Sequence, residues 1–306
     1  MEPTNLKWNY IIVGAGISGI ALAQRLRGEG YSVLILEKSK GVGGRMATRR
    51  WKDQLFDHGA QQIRIHPLTK PLYDQWSQEN LLSNWKAGYV ICPLGMSKLA
   101  KSAATNLKLQ LEKKAILIHK TENHYKIECE EGSHFLSENL VLSSPLPQSL
   151  KLLNDSNIQY NPTLEEIHYA KALVFLVSHN ENFSSQLPDY QEWPTGPVFS
   201  VTNQSKKFNK LGFAYTFTMS ADWSENHFDM QDEAVLFHFK QALEQLKFSL
   251  PEGSELQIKK WRFSHPTSTW TNKFYHVENE KIVLIGDAFG GPSVNGAILS
   301  ALEFKS

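Results

Sequence analysis

One short stretch limits the folds open to this chain more than any other. Gly14-Ala15-Gly16-Ile17-Ser18-Gly19 follows an apolar run at 10–13 and opens the stretch 18–27. There Ile20, Leu22, Ala23 and Leu26 recur at helical spacing, and Gly28 and Gly30 stop the helix. Residues 32–36 read as a second buried strand. Strand, glycine turn, helix and strand make one βαβ unit, which demands parallel strands and a right-handed crossover.

Each part of the turn has a task. Gly14 permits the tight turn, Gly16 lets the backbone approach a pyrophosphate, and Gly19 lets the helix pack on the strand. The helix N-terminus offers oriented N–H groups and partial positive charge to phosphates. Glu37 stands 18 residues beyond Gly19, at the end of the second strand. There it is placed to accept hydrogen bonds from an adenosine ribose diol, and its charge disfavours a 2′-phosphate. The glycine pattern alone also fits an ordinary α/β turn; the strand, helix and acid around it make the dinucleotide reading.

The same motif serves NAD and FAD, and two further features favour FAD. Gly41-Val42-Gly43-Gly44-Arg45 forms a second glycine loop with a cation, suited to a diphosphate. Without a ligand it reads as a solvated basic loop containing Arg45, Arg49 and Arg50. Near the C-terminus, Ile282-Val283-Leu284-Ile285 ends in Gly286-Asp287. A buried strand ending this way puts one carboxylate at the ligand edge of a parallel sheet, within reach of a ribitol hydroxyl. Gly290-Gly291-Pro292-Ser293 then leads into a helix from about residue 295, whose N-terminus would face the flavin's pyrimidine end.

Composition narrows the function classes. Lys plus Arg number 32 and Asp plus Glu 31, a net charge of +1, so no global field favours nucleic acid or anionic lipid. The 41% hydrophobic content supports a packed core. No stretch reaches the length of a membrane span, and the N-terminus lacks a signal-peptide pattern. Two cysteines, Cys92 and Cys129, form no disulfide framework, which fits a reducing, cytoplasmic setting. At 306 residues two lobes are expected.

Coarser patterning fills in the rest. Residues 71–91 read as helical, with Leu72, Trp76, Leu81, Leu82 and Trp85, and 96–107 as a further helix. The runs 108–111, 115–119, 125–129 and 134–142 suggest a small antiparallel meander, broken by Pro145 and Pro147. Residues 151–270 hold strand-like runs such as 172–177 and 212–219, with one amphipathic helix over 232–246.

Ordered along the chain, these pieces resemble the flavin-dependent amine oxidase superfamily, and within it the renalase-like proteins. The resemblance rests on the 12–19 stretch; Gly43-Gly44-Arg45-Met46-Ala47-Thr48; Asp57-His58-Gly59-Ala60-Gln61; Pro93-Leu94-Gly95-Met96-Ser97; and Gly286-Asp287-Ala288-Phe289 with Asn295-Gly296-Ala297. It implies an α/β fold: a Rossmann-like FAD-binding domain with an interleaved α+β substrate domain on a mostly antiparallel sheet. The FAD domain would comprise 1–70, 96–150 and 275–306, and the substrate domain 71–95 and 151–274. By resemblance Gly14, Gly16 and Gly19 meet the pyrophosphate, Glu37 the ribose, Gly44 and Arg45 the diphosphate, and Gly286 and Asp287 the ribitol side. Ala115 falls at the adenine contact. Gly59, Ala60 and Gln61 lie against the isoalloxazine, and Asn295 and Gly296 open the helix beside it.

The implied activity is that of an FAD-dependent oxidoreductase of oxidase type, with NAD(P)-related substrates. A hydride leaves a small substrate for the flavin, and O2 is the acceptor, giving H2O2. The renalase-like substrate is an isomeric dihydronicotinamide dinucleotide; the alternatives are an amine, a non-catalytic FAD-binding redox sensor, or a monooxygenase. Hydride loss from a dihydropyridine needs no strong base, and no catalytic His or Cys stands out. Gln61, Gln62, Trp261 and Trp270 are substrate-side candidates, though core packing suits each tryptophan better; Lys259 or Lys260 could reach flavin N5 through a water, though the two suit a solvated pair better. The sequence departs from the family in having Gln62 where an aromatic is frequent, and Asn295 where many relatives carry an acid. No cysteine lies near the C-terminal motif, so the FAD is expected to be noncovalent, and no metal is expected.

Overall fold

The computed structural model describes residues 7–179 and 187–305; the polar start at 1–6 and Ser306 lie outside them. Five parallel strands form its central sheet, in the order Ile282–Leu284, His134–Leu142, Lys7–Val13, Val33–Glu37, Lys108–Leu111. Tyr275–His276 adds an antiparallel edge to this sheet. His134–Leu142 has two partners on one side. Its first half pairs antiparallel with Tyr125–Cys129, which pairs in turn with Ala115–Lys120, while its last residues pair parallel with Ile282–Leu284.

The expected βαβ unit is present. Ile11, Ile12, Ile35 and Leu36 are fully buried, as strands covered on both faces require. Helix Ile17–Gly28 covers one face through Ile20, Leu22, Ala23 and Leu26. Helix Val294–Glu303 packs against it, bringing Ala297, Ile298 and Ala301 into the same core cluster.

A second, five-stranded antiparallel sheet is ordered Tyr190–Glu192, Val198–Asn203, Phe213–Met219, Tyr169–His179, Glu255–Pro266. Tyr169–His179 is apolar on both faces and is used on both. Leu173, Phe175 and Val177 meet helix Asp232–Gln245, with Phe175 stacked on Phe239 at 3.8 Å between centroids. Ala172, Val174 and Leu176 turn the other way, toward Phe56. Phe56 belongs to the hairpin Thr48–Trp51 and Gln54–Asp57, so this sheet packs directly against the Arg45 region.

Two expectations about local structure need correction. Residues 71–91 are not one helix: Lys70–Gln78 is helical, then Ser83–Lys86 and Tyr89–Ile91 form strands that join Ile63–Arg64. Asn80 ends the helix with φ 56, a left-handed conformation that Asn tolerates. Leu81 and Leu82, which looked like continued helical spacing, are buried in the turn. Lys108–Leu111 is likewise no part of the meander. It lies parallel to Val33–Glu37 at the far edge of the central sheet. Short strand patterns say little about which partner they choose.

Candidate active site

The two glycine loops lie side by side. Gly14 turns at φ +110 and donates its N–H to Leu36 O at 2.8 Å. A side chain at Gly19 would collide with Gly14 O and lie 2.7 Å from Ser143 Oγ, so helix and strand approach as closely as the motif requires. Gly16 and Gly43 form a parallel bridge, and Gly43 N donates to Ala15 O at 2.8 Å. Gly44 takes φ +53 beside them.

This arrangement fits a pyrophosphate on an observation independent of the motif. A Cβ placed on Gly16 meets no atom within 4 Å, whereas Gly14, Gly19 and Gly43 face neighbours in close contact. The open side of the turn therefore lies at Gly16. The helix starting there has no side-chain cap and no acid in its first turn, so its N–H groups keep their positive end free for an anion.

Glu37 is 8% exposed and already organises the loop. Its two oxygens accept from Ala15 N and Ser39 N, each at 2.8 Å. Carboxylate oxygens retain further lone pairs for a diol. Lys113 N donates to Glu37 O at 2.8 Å, which sets the start of Ala115–Lys120 beside this end of the sheet.

Arg45 and Asp287, expected to take separate parts of a cofactor, are brought together. The Arg45 guanidinium makes a two-pronged contact with the Asp287 carboxylate, one prong being Nη2 to Oδ1 at 2.9 Å. Tyr169 also donates to Asp287 Oδ1 at 2.9 Å, and Arg45 Nη1 donates to Ser264 O at 3.1 Å. Burial alone would lower the Arg45 pKa, but Asp287 more than reverses this. Burial, followed by the Asp287 charge, pushes the Tyr169 phenol up. The cluster thus holds one fixed positive and one fixed negative charge 242 positions apart in sequence. Gly286, at φ +132, supplies the turn that delivers Asp287.

Residues 59–61 sit against this cluster. A side chain at Gly59 would collide with Arg45 O, and Ala60 N donates to the same oxygen at 2.9 Å. Gln61 turns its side chain into the protein. Its Nε2 donates to Asp57 O at 2.6 Å and its Oε1 accepts from Gln204 Nε2 at 2.7 Å, so the amide has no free face for a substrate. Gln62 interacts with the Tyr190 hydroxyl, and its Oε1 is buried without a partner among the described residues.

The two tryptophan candidates do not meet. Trp261 stacks on His58 at 5.5 Å and donates Nε1–H to His58 O at 2.7 Å. Trp270 belongs to a different apolar cluster, edge-on to Tyr275, and its backbone N–H donates to Ala288 O at 2.8 Å. The lysines also divide. Lys260 points away, to Phe228 O, Met230 O and Asp232. Lys259 acts on His58: burial, then the Lys259 charge, pushes the imidazole down to about 4. Burial, then Arg49, lowers Lys259 itself.

Asn295 is fully engaged. Its Oδ1 accepts from Thr69 Oγ1 at 2.7 Å and from Tyr73 OH, and its Nδ2 donates to Arg64 O at 2.7 Å. It thereby ties the last helix to Lys70–Gln78 and to the segment before it. Gly296 and Gly290 admit no side chains, because their backbones press on Gly291 O and Gly296 O respectively. Ser293 caps the helix through Gly296 N at 3.0 Å.

Sequence reading missed a buried ion pair beneath this site. Lys207 Nζ reaches Asp57 Oδ2 and also donates to Gln61 O. The other Asp57 oxygen accepts from Met96 N at 3.0 Å and from Thr48 Oγ1. Asp57 stood in a quoted motif, but Lys207, in Gln204-Ser205-Lys206-Lys207, belongs to no motif that singles it out.

Residues 12–76 match the NAD(P)-binding Rossmann-like domain, and residues 74–303 match the flavin containing amine oxidoreductase family. Mouse renalase is 22% identical over 96% of this chain and 96% of its own. The fold superposes on putrescine oxidase bound to putrescine with TM-score 0.71, at 13% identity and 97% coverage of both chains. It superposes on an Exiguobacterium sp. 255-15 protein assigned as a protoporphyrinogen oxidase with TM-score 0.74, at 14% identity and 97% coverage of both. Among the described residues no helix is long and apolar enough to cross a membrane. The chain belongs to the flavin containing amine oxidoreductase family and is an FAD-dependent oxidoreductase.

Proposed function

We propose that this enzyme oxidises an isomeric dihydronicotinamide dinucleotide and passes the electrons to O2. The reaction is a two-electron oxidation of a dihydropyridine to a pyridinium, with O2 and a proton leaving as H2O2. The observation that carries this reading is the end-to-end match to mouse renalase, 96% of each chain. The charges beside residues 59–61 support it. Lys259 and Arg49 lower the pKa of His58 against the opposing charge of Asp57, which Lys207 already pairs. Two cations beside His58 suit a substrate bearing phosphates.

FAD, when bound, supplies the two-electron acceptor. The chain's residues bind and orient. Gly14, Gly16 and Gly19 offer backbone to the pyrophosphate, and Glu37 takes the ribose, with Ala115 beside it. Arg45 and Asp287 share the diphosphate and ribitol region, and the backbone of Gly59 and Ala60 faces the flavin ring. The Trp261–His58 pair offers a flat apolar surface for a planar ring. The flavin is held noncovalently. The FAD domain is drawn from 1–70, 96–150 and 275–306 around a substrate domain of 71–95 and 151–274, in a cytoplasmic protein.

The test is anaerobic reduction of the purified protein. Aged NADH, which contains the isomers, bleaches the flavin, while fresh NADH and a panel of amines do not. Bleaching by amines alone assigns the amine oxidase activity instead.

A further inference from the structure

Away from the glycine loops, one concave pocket carries charge of a single sign. Thr48, Arg49, Arg50, Ser97, Lys98 and Lys101 line a cavity of about 290 Å³. Four of the six are cations and none is a carboxylate. A second groove shows the usual alternative. There Lys38 and Lys114 lie among Glu112, Glu130 and Glu131, and Lys114 pairs with Glu130, so the charges neutralise one another.

The cations stand on a fixed frame. The arginines lie on the strand Thr48–Trp51, and the lysines on the helix Met96–Ala103. Ser97 N donates to Thr48 Oγ1 at 3.0 Å, and Met96 N and Thr48 both bond to buried Asp57, which fastens strand to helix. Lys98 and Lys101 are three apart on one helix face, where like charges repel. The first N–H groups of the helix are taken up by Asp57 and Thr48, so the positive potential of the pocket comes from its four cationic side chains. An anion with several oxygens relieves this repulsion and matches the arginine forks.

We propose that this pocket binds a phosphoryl group, the phosphomonoester or diphosphate end of a small molecule. The arginines contribute planar forks, the lysines point charges, and Ser97 a hydroxyl donor. The site lies outside the flavin loops, and its assignment does not depend on which substrate is oxidised.

Calorimetric titration of the purified flavoprotein with inorganic pyrophosphate at low ionic strength tests it. Saturable one-to-one binding is expected, weakening as salt rises. In the double variant R50A/K98A affinity falls at least about tenfold, the effect of losing one charge-assisted contact or more. Flavin absorbance and circular dichroism stay unchanged, because both side chains are exposed. The single variants R49A and K101A each weaken binding as well. A parallel titration with glycerol phosphate separates the two ligand ends: binding of both assigns a monoester, and of pyrophosphate alone a diphosphate. No saturable binding, equal affinity in the double variant, or equal affinity for acetate overturns the proposal.

Discussion

Lys207 Nζ lies 2.7 Å from Asp57 Oδ2, and neither side chain exposes any surface to solvent. Burial pushes the Lys207 pKa down, and Asp57 opposes that shift. The pair joins the hairpin after the second glycine loop to the antiparallel sheet, since Thr216 Oγ1 and Gln204 also bond to the Asp57 backbone. Residues 59–61 hang from this network through Gln61.

Removing one partner should therefore cost more than removing both. Lys207→Met leaves a buried carboxylate without its counter-ion and should destabilise the protein by about 3–5 kcal/mol. Adding Asp57→Asn should recover part of that loss. Urea unfolding of the two single variants and the double variant measures the coupling. Additive losses would show that the two charges do not depend on each other.

The glycine loop offers a separation of binding from folding. Gly16 has φ −71 and ψ 171, which alanine adopts freely, and its Cβ would enter open space. Gly16→Ala should leave the thermal midpoint of flavin-stripped protein nearly unchanged while weakening FAD binding about tenfold or more. Gly19→Ala should instead lower the midpoint, because its Cβ collides with backbone. Equal FAD affinity in Gly16→Ala would remove Gly16 from the pyrophosphate site.

The contrast also shows what a sequence discloses. The βαβ unit was legible because its signals are local: periodicity, glycines at fixed offsets, and an acid at the strand end. The antiparallel sheet was legible as strand-rich sequence, and its strand order was not, because pairing partners lie up to 97 positions apart. Tyr169 and Pro266 pair across 97 residues, for example. Arg45 and Asp287 were each recognised, but nothing local says that they touch. Lys207 was invisible because its burial follows from a partner 150 positions away, and nothing in its local sequence marks one of two adjacent lysines for the interior.

Asn295 raises a question of charge at the last helix. An acid there would keep the bonds from Thr69 and Tyr73 but would lose the donor to Arg64 O. Asn295→Asp should then destabilise by about 1–2 kcal/mol at neutral pH, through repulsion between carboxylate and carbonyl. At low pH the introduced carboxyl is protonated and donates again, so the loss should shrink. Chemical denaturation at pH 7.5 and pH 4.5 measures the difference; a pH-independent loss would exclude the missing donor as its cause.

His58 gives the protein a pH dependence of definite sign. Its imidazole is pushed from 6.5 down to about 4, first by burial and then by Lys259, and Nδ1 is buried with no partner among the described residues. Between these values the unfolded chain binds a proton that the folded protein does not. Stability is therefore fully present above pH 6.5 and falls as pH drops toward 4. The shift corresponds to at most roughly 3 kcal/mol. His58→Gln keeps the backbone oxygen that accepts from Trp261 and removes the titrating ring. Urea midpoints taken from pH 7.5 to pH 4.5 should fall less steeply in His58→Gln than in the unaltered protein. The carboxylates titrate in both proteins, so the difference between the two curves isolates the imidazole. Parallel curves would mean that His58 keeps its ordinary affinity for protons in the folded state.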